Sequence, residues 1–433
     1  MPVVLIARAG FVKMVEMKIQ LNQVRIYDPQ SKYNNQVLDI LIENGRISEV
    51  AAKINAPDAL QVSSPELSVA PGFIDLKVDF CDPGYEHKET IQNGLDVASI
   101  GGFTQVYIQP GTQPVMDNKG QVTYAQQKAQ GATTYLGVNG ALTKSLHGEE
   151  LAELYDLYTH GVRLFTDDQH AVNAGILQRA LLYTRDFGGR VSVFSRNNAL
   201  SGKGQVNEGQ ASTRTGLKAD PHLSEIIETE RNLRILAYTG GKLHLSGLST
   251  AEAVRLVAKA KKEGLDVTAD VHLMNLCFTE SAMLDFDTRF KVLPVLRTET
   301  DQKALWEGVL DGTIDAIVSD HRPGDLEEKD LEFDLAHFGA PQLETFFAAL
   351  NTHSNKDLAA ILPALHVGPR KVLGLALTPI EVGAFAELTL FDPSLPYVSN
   401  MHPEQHRFSP FKDATLQGQI RGVIRGELAS LVD

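Results

Sequence analysis

Lys77 and Asp79 stand two apart in the stretch PGFIDLKVDF, Pro71 to Phe80. Alternate residues of a strand project to one face, so a cation and an anion leave the end of a short apolar strand together. Burying such charges is costly unless they are paired or put to use. One reading is a plain structural ion pair; the other is a site at the end of a buried strand. Cys81 follows directly, but no base and orienting partner for a nucleophilic thiol are evident, and a buried free cysteine is usually inert. His87 in GYEHKE reads as a loop packing residue.

The chain of 433 residues, 43% hydrophobic, is long enough for a large barrel with attachments or for two domains. A formal charge of -14 and the lack of a basic run argue against a nucleic-acid partner, and no apolar run is long enough for a membrane span. Cys81 and Cys277 are too few for a disulfide framework and fit a reducing, cytoplasmic setting. Convincing strand alternation begins only at about Met17, which marks residues 1–16 as an N-terminal extension or a partner-binding arm.

The elements that must position Lys77 and Asp79 follow from texture. From Met17 to about Ala70 short alternating strands are separated by turns, and Asn44-Gly45 is a hairpin signal. The C-terminal stretches AELTLFDPSLPYV and GQIRGVIRGELASLV repeat that texture. Neither end closes a core alone, so residues 17–70 and 369–433 are expected to assemble into one β-sandwich domain. Between them, over 71–368, apolar strands alternate with helical stretches such as NAGILQRALLYTRDFG, where the final Gly reads as a helix cap. Strands are expected at Phe73–Phe80, Gln105–Ile108, Thr134–Val138, Gly161–Phe165, Arg190–Phe194, Lys242–Leu245, Asp266–Val271 and Ala316–Ser319. Eight β/α steps predict an α/β fold, a TIM (β/α)8 barrel with its site at the strand C-termini.

Longer stretches carry a resemblance. The run from PGFIDLKVDF through GGFTQVYIQPGTQPVMDN, with FTDD at 165–168, NEGQASTRTGL at 207–217, the segment 285–323 ending in VSDHRP, and FGAPQLET at 338–345, resembles the dihydroorotases of the cyclic amidohydrolase superfamily. The likeness runs collinearly from about Met17 to the end. It implies a metallo-dependent hydrolase barrel in which zinc polarises a ring amide and supplies hydroxide at neutral pH.

The ligand positions that this resemblance implies are changed. Where the family reads DLHVHFR the chain reads DLKVDFC, which puts Lys77 and Asp79 at two histidine positions. Asp167 matches the bridging acid, with Asp168 as the neighbouring alternative. VFSRN places Phe194 at the third histidine and Arg196 at an acid; HLSGLST places Gly247 at the fourth, leaving His244 as a non-ligand. In SDHRPG, Asp320 matches the ligand and proton shuttle, and the last histidine is Gly324. Cys81, Gly111 and Leu293 replace the substrate-binding arginine and two asparagines, so His321 and Arg297 remain as candidate substrate contacts.

Phenylalanine and glycine cannot ligate, and an ammonium repels a dication. The remaining carboxylates suit magnesium or manganese better than zinc. The expectation is a site with no cofactor, its metal positions Lys77, Asp79, Asp167, Phe194, Gly247 and Asp320 degenerate, and Lys77 paired with Asp320, Asp167 or Asp79. The resemblance extends to inactive dihydroorotase-like chains that assemble with aspartate transcarbamoylase in some bacteria. It implies a pseudoenzyme of pyrimidine biosynthesis, a homodimer acting as scaffold or regulatory subunit. The competing expectation is an active cyclic amidohydrolase, hydrolysing a ring amide with an altered metal or metal-free site, zinc being the cofactor if that reading holds.

Overall fold

The computed structural model describes residues 18–399 and 407–432. The expected extension at 1–16 lies outside the described residues. Eight parallel strands form the barrel: Phe73–Val78, Phe103–Ile108, Tyr135–Val138, Leu164–Thr166, Arg190–Phe194, Leu243–Ser246, Val267–His272 and Ala316–Val318. The third strand resumes after Asn139 as Gly140–Ala141, which pairs with the fourth. A parallel bridge between Val78 and His321 closes the ring from eighth strand to first.

All eight expected strands are present, Arg190–Phe194 with the expected ends and the others with shifted ones. The first stops at Val78, where the amide of Asp79 turns to the carbonyl of His321. The fourth begins only at Leu164, because Gly161, at φ 99°, is still turning.

Two helices show how the sequence writes this layer. In Ala251–Lys262, Thr250 caps the amide of Ala253, Val254 and Val257 are buried, and three lysines occupy the last turn, where cations favour the carbonyl end. Helix Ala174–Arg185 is capped by Asn173. It ends before the expected glycine, and Gly188, at φ 79°, instead returns its amide to the Thr184 carbonyl. The last barrel helix, Pro363–Leu373, crosses the expected boundary at 368 because Arg370 is buried there, bonded to the carbonyl of Gly72 and to Glu387.

Both chain ends contribute to an eight-stranded mixed sheet. The strand Lys18–Ile26 pairs with Val37–Glu43, while Ser68–Pro71 joins it to the C-terminal strand Glu387–Pro396. Asn44 and Gly45, at φ 50° and 72°, make the tight turn that their order implies. Ile19, Leu21, Ile40, Ile42, Leu388 and Ile424 share one buried cluster drawn from both ends. No helix among the described residues is long and apolar enough to cross a membrane.

Asp301 ties three barrel helices together. It accepts bonds from Thr298 at the start of its own helix, from the amide of Ala251, and from His222 Nε2 at 2.8 Å. Burial would raise its carboxyl, but His222 and the other donors outweigh that and lower it to about 2. A depressed carboxyl stabilises the fold above the unfolded value near 4, and that contribution is lost as pH falls through about 2. Asp301→Asn is expected to remove at most about 2 kcal/mol at neutral pH, with the difference fading over that acid window. Denaturant midpoints measured at several pH values test this; a difference independent of pH would refute it.

Candidate functional site

The C-terminal ends of the barrel strands gather a buried charge cluster. Lys77, near the end of the first strand, is 3% exposed. Its Nζ donates to Ser246 Oγ at 3.2 Å and lies 3.4 Å from Asp168 Oδ1 and 3.9 Å from Asp320 Oδ1. The guanidinium of Arg322 reaches the same acids more closely: Nη2 is 2.6 Å from Asp168 Oδ1 and Nε is 2.9 Å from Asp320 Oδ1. Its Nη1 is 3.9 Å from Asp79 Oδ2. On the other side of Asp320, His272 Nδ1 stands 3.3 Å from Oδ2. Asp168 and Asp320 adopt positive φ, 53° and 49°, a conformation aspartate tolerates better than most residues.

The electrostatics follow from this packing. Burial alone would raise the carboxyl of Asp320, but Arg322, His272 and Lys77 hold it far below the usual range. Asp168 is lowered in the same contest, with Arg322 and then Lys77 overcoming burial. Asp79 goes the other way: burial raises it, and the more distant Arg322 only partly offsets that. A carboxylate held as low as Asp320 is a poor proton acceptor at neutral pH, because a general base works best with a pKa near the working pH.

Several expected site residues are placed differently. Asp167 does not face the cluster; its carboxylate accepts from the amides of Leu142 and Thr143 and from the Thr143 hydroxyl, so it pins the loop after the third strand. Asp168 takes the inward position instead, and Lys77 pairs with Asp168 and Asp320 rather than with Asp167 or Asp79. Asp79 lies beyond the strand end and turns one oxygen to the amide of Cys81.

His321 is not available as a substrate contact. Its Nδ1 accepts from the amide of Gln342, which leaves Nε2 to donate to Glu89 at 2.7 Å. Arg297 is likewise consumed, bonded to Ser249, Asn207 and Asp220, and it anchors the loop carrying NEGQASTRTGL. His244 is held between Thr268 and Asp270 as a fold residue. The thiol of Cys81 is pushed strongly upward, first by burial and then by Asp79.

Apolar side chains fill the space beside the charges. Phe194 packs with Leu293, Val295 and Phe338, and its ring centre is 5.6 Å from Lys77 Nζ. Gly247, at φ 70°, leaves no room for a larger residue: an added Cβ would meet His272 Nε2 at 2.9 Å and Phe194 at 3.3 Å. The sequence reading missed Arg322, His272 and Ser246. Arg322 carried a signal, since a second cation directly follows Asp320 and His321 just as Lys77 occupies a metal position. His272 lies one residue past the expected strand end.

Residues 67–253 match the family model described as dihydro-orotase-like. A dihydroorotase of Syntrophotalea carbinolica is 37% identical over 93% of this chain and 96% of its own length. One from Carboxydothermus hydrogenoformans is 38% identical over 88% and 90%. The chain belongs to the dihydroorotase-like family. An L-hydantoinase (dihydropyrimidinase) from Arthrobacter aurescens shares the fold of this dihydroorotase-like chain, with a TM-score of 0.83 over 95% of each chain at 21% identity.

Family membership corrects one expectation. The expected absence of a cofactor is overturned, since these relatives are dihydroorotases, a family whose ring-amide chemistry is metal-assisted. The donor set of this chain nevertheless fits such an ion poorly. One buried cation, Lys77, and one half-buried cation, Arg322, lie among the acids, Phe194 and Gly247 offer no lone pair, and Asp167 is turned away. Among the described residues no group of three or more histidine, cysteine or acidic side chains is arranged to hold a metal.

Proposed function

We propose that this dihydroorotase-like chain belongs to pyrimidine biosynthesis as a cytoplasmic pseudoenzyme, a homodimeric scaffold or regulatory partner of aspartate transcarbamoylase. The observation that carries the reading is Asp320. The acid matching the family's proton shuttle is clamped by Arg322 at 2.9 Å and faced by His272 and Lys77. A base so stabilised as its anion cannot take a proton readily. The substrate side supports the same reading, because Cys81, Gly111 and Leu293 offer neither a guanidinium for a carboxylate nor an amide's paired donor and acceptor.

A second reading is favoured by relatives that are dihydroorotases: a cyclic amidohydrolase acting through an altered metal site. A dihydroorotase assay in both directions, with and without added zinc and with metal analysis of the protein used, separates the two. The expected result is no turnover above background under any of these conditions. Turnover that follows metal loading would sink the pseudoenzyme reading and establish the second.

A further inference from the structure

The segment from Asp325 to Gly339 follows the eighth strand as a strap held to the loop after the seventh strand, and next to it Phe338 packs on Phe194 at the end of the fifth. Its underside is firmly anchored. Lys329 is buried, and its ammonium donates to the carbonyls of Thr288 at 2.8 Å, His337 at 3.0 Å and Gly339 at 2.8 Å. Lys291 holds the Phe333 carbonyl at 2.6 Å, and Phe333 and Ala336 supply the inward apolar contacts. Beneath the strap's end, Phe338 packs on Phe194 and Leu293.

Three leucines of the same strap are left outside. Leu326, Leu331 and Leu335 are 51%, 41% and 60% exposed, and Phe286, whose ring approaches Phe333, is 48% exposed. The fold gains little from them, since Phe333 and Ala336 already fill the inward positions. Large exposed apolar side chains concentrated on one element mark an interaction surface more often than scattered ones do. Between them stand the exposed carboxylates of Glu327, Glu332 and Asp334, while Asp330 is paired with Arg407 at 2.8 Å.

The charges select the occupant. Two copies meeting symmetrically through this strap would bring the same carboxylates face to face, and like-charge juxtaposition is costly. An anionic membrane or a nucleic acid is repelled for the same reason. We infer that the strap, with Phe286, is the docking surface for a folded protein partner presenting apolar side chains framed by lysine and arginine. The inference rests on the scaffold reading above and says where on this chain the partner sits.

The test uses the full chain and purified aspartate transcarbamoylase, with affinity measured by titration calorimetry and complex mass by sedimentation. The unaltered chain is expected to bind, more weakly as salt is raised. Leu331→Ser/Leu335→Ser is expected to weaken binding by roughly thirtyfold or more with an unchanged melting temperature. Glu327→Lys/Glu332→Lys is expected to slow association and abolish the salt dependence. Tyr238→Ser, at a residue 80% exposed on helix His222–Thr239, is expected to change nothing. Undiminished binding by both strap variants would overturn the docking inference and leave the scaffold reading standing. No complex with the unaltered chain would overturn both. A strap variant that converts the chain alone from dimer to monomer would assign the strap to a second copy and overturn the inference.

Discussion

Arg322→Met is expected to cost about 3–5 kcal/mol of stability at neutral pH, because removing one partner of a buried ion-pair network strands the others. The guanidinium makes the short contacts to Asp168 and Asp320, at 2.6 and 2.9 Å; Lys77 reaches the same oxygens only at 3.4 and 3.9 Å and cannot replace it. Lys77→Met is therefore expected to cost less. The pH dependence fixes the sign. Asp168 and Asp320 have lowered carboxyls, so the stability they contribute is present above the unfolded value near 4 and is lost as pH falls below it. Without Arg322 these acids no longer hold their protons off, and the gap between variant and unaltered chain is expected to shrink on acidification below about pH 4. Adding Asp168→Asn to Arg322→Met should recover part of the loss, since neighbouring groups in one network are not additive. Denaturant unfolding of the four proteins of that cycle, across pH, is the measurement. A single-variant loss under about 1 kcal/mol would show that the cluster does not hold the barrel mouth together.

Gly368→Ala is expected to cost more than about 3 kcal/mol or to prevent soluble folding. Gly368 sits inside helix Pro363–Leu373, where an added Cβ would lie 1.6 Å from the carbonyl oxygen of Asp315 and 2.6 Å from its carbon. Both are backbone atoms just before the eighth strand, and Asp315 is itself held by Lys261, Lys371 and the amide of Ala269. Neither side can yield cheaply, so helix and strand must separate where the barrel closes. Gly374→Ala provides the contrast. It has φ 67° and open space around it, so only the conformational penalty of about 1–2 kcal/mol is expected. Equal denaturation midpoints for the two variants would show that the close approach is relieved at little cost.

The barrel and the sheet built from both chain ends were legible in the sequence because they depend on local pattern. Strand after strand of apolar residues, interrupted by helical periodicity, specifies eight β/α steps, and Asn44-Gly45 specifies its turn wherever it occurs. Composition at Phe194 and Gly247 also spoke plainly, since those side chains have no lone pair to give. Which charges would meet was another matter. Asp167 and Asp168 are adjacent and chemically alike, and only the backbone turn at φ 53° decides that the second faces inward while the first binds the loop of Thr143. His321 and Arg297 look like site residues until Gln342, Glu89, Ser249 and Asp220, distant in sequence, arrive to occupy them. Arg322 became the centre of the cluster because the first, fourth and eighth strands end at one mouth. Partner choice among like charges is set by distances of a few ångströms, and those are fixed by the closure of the barrel rather than by residue order.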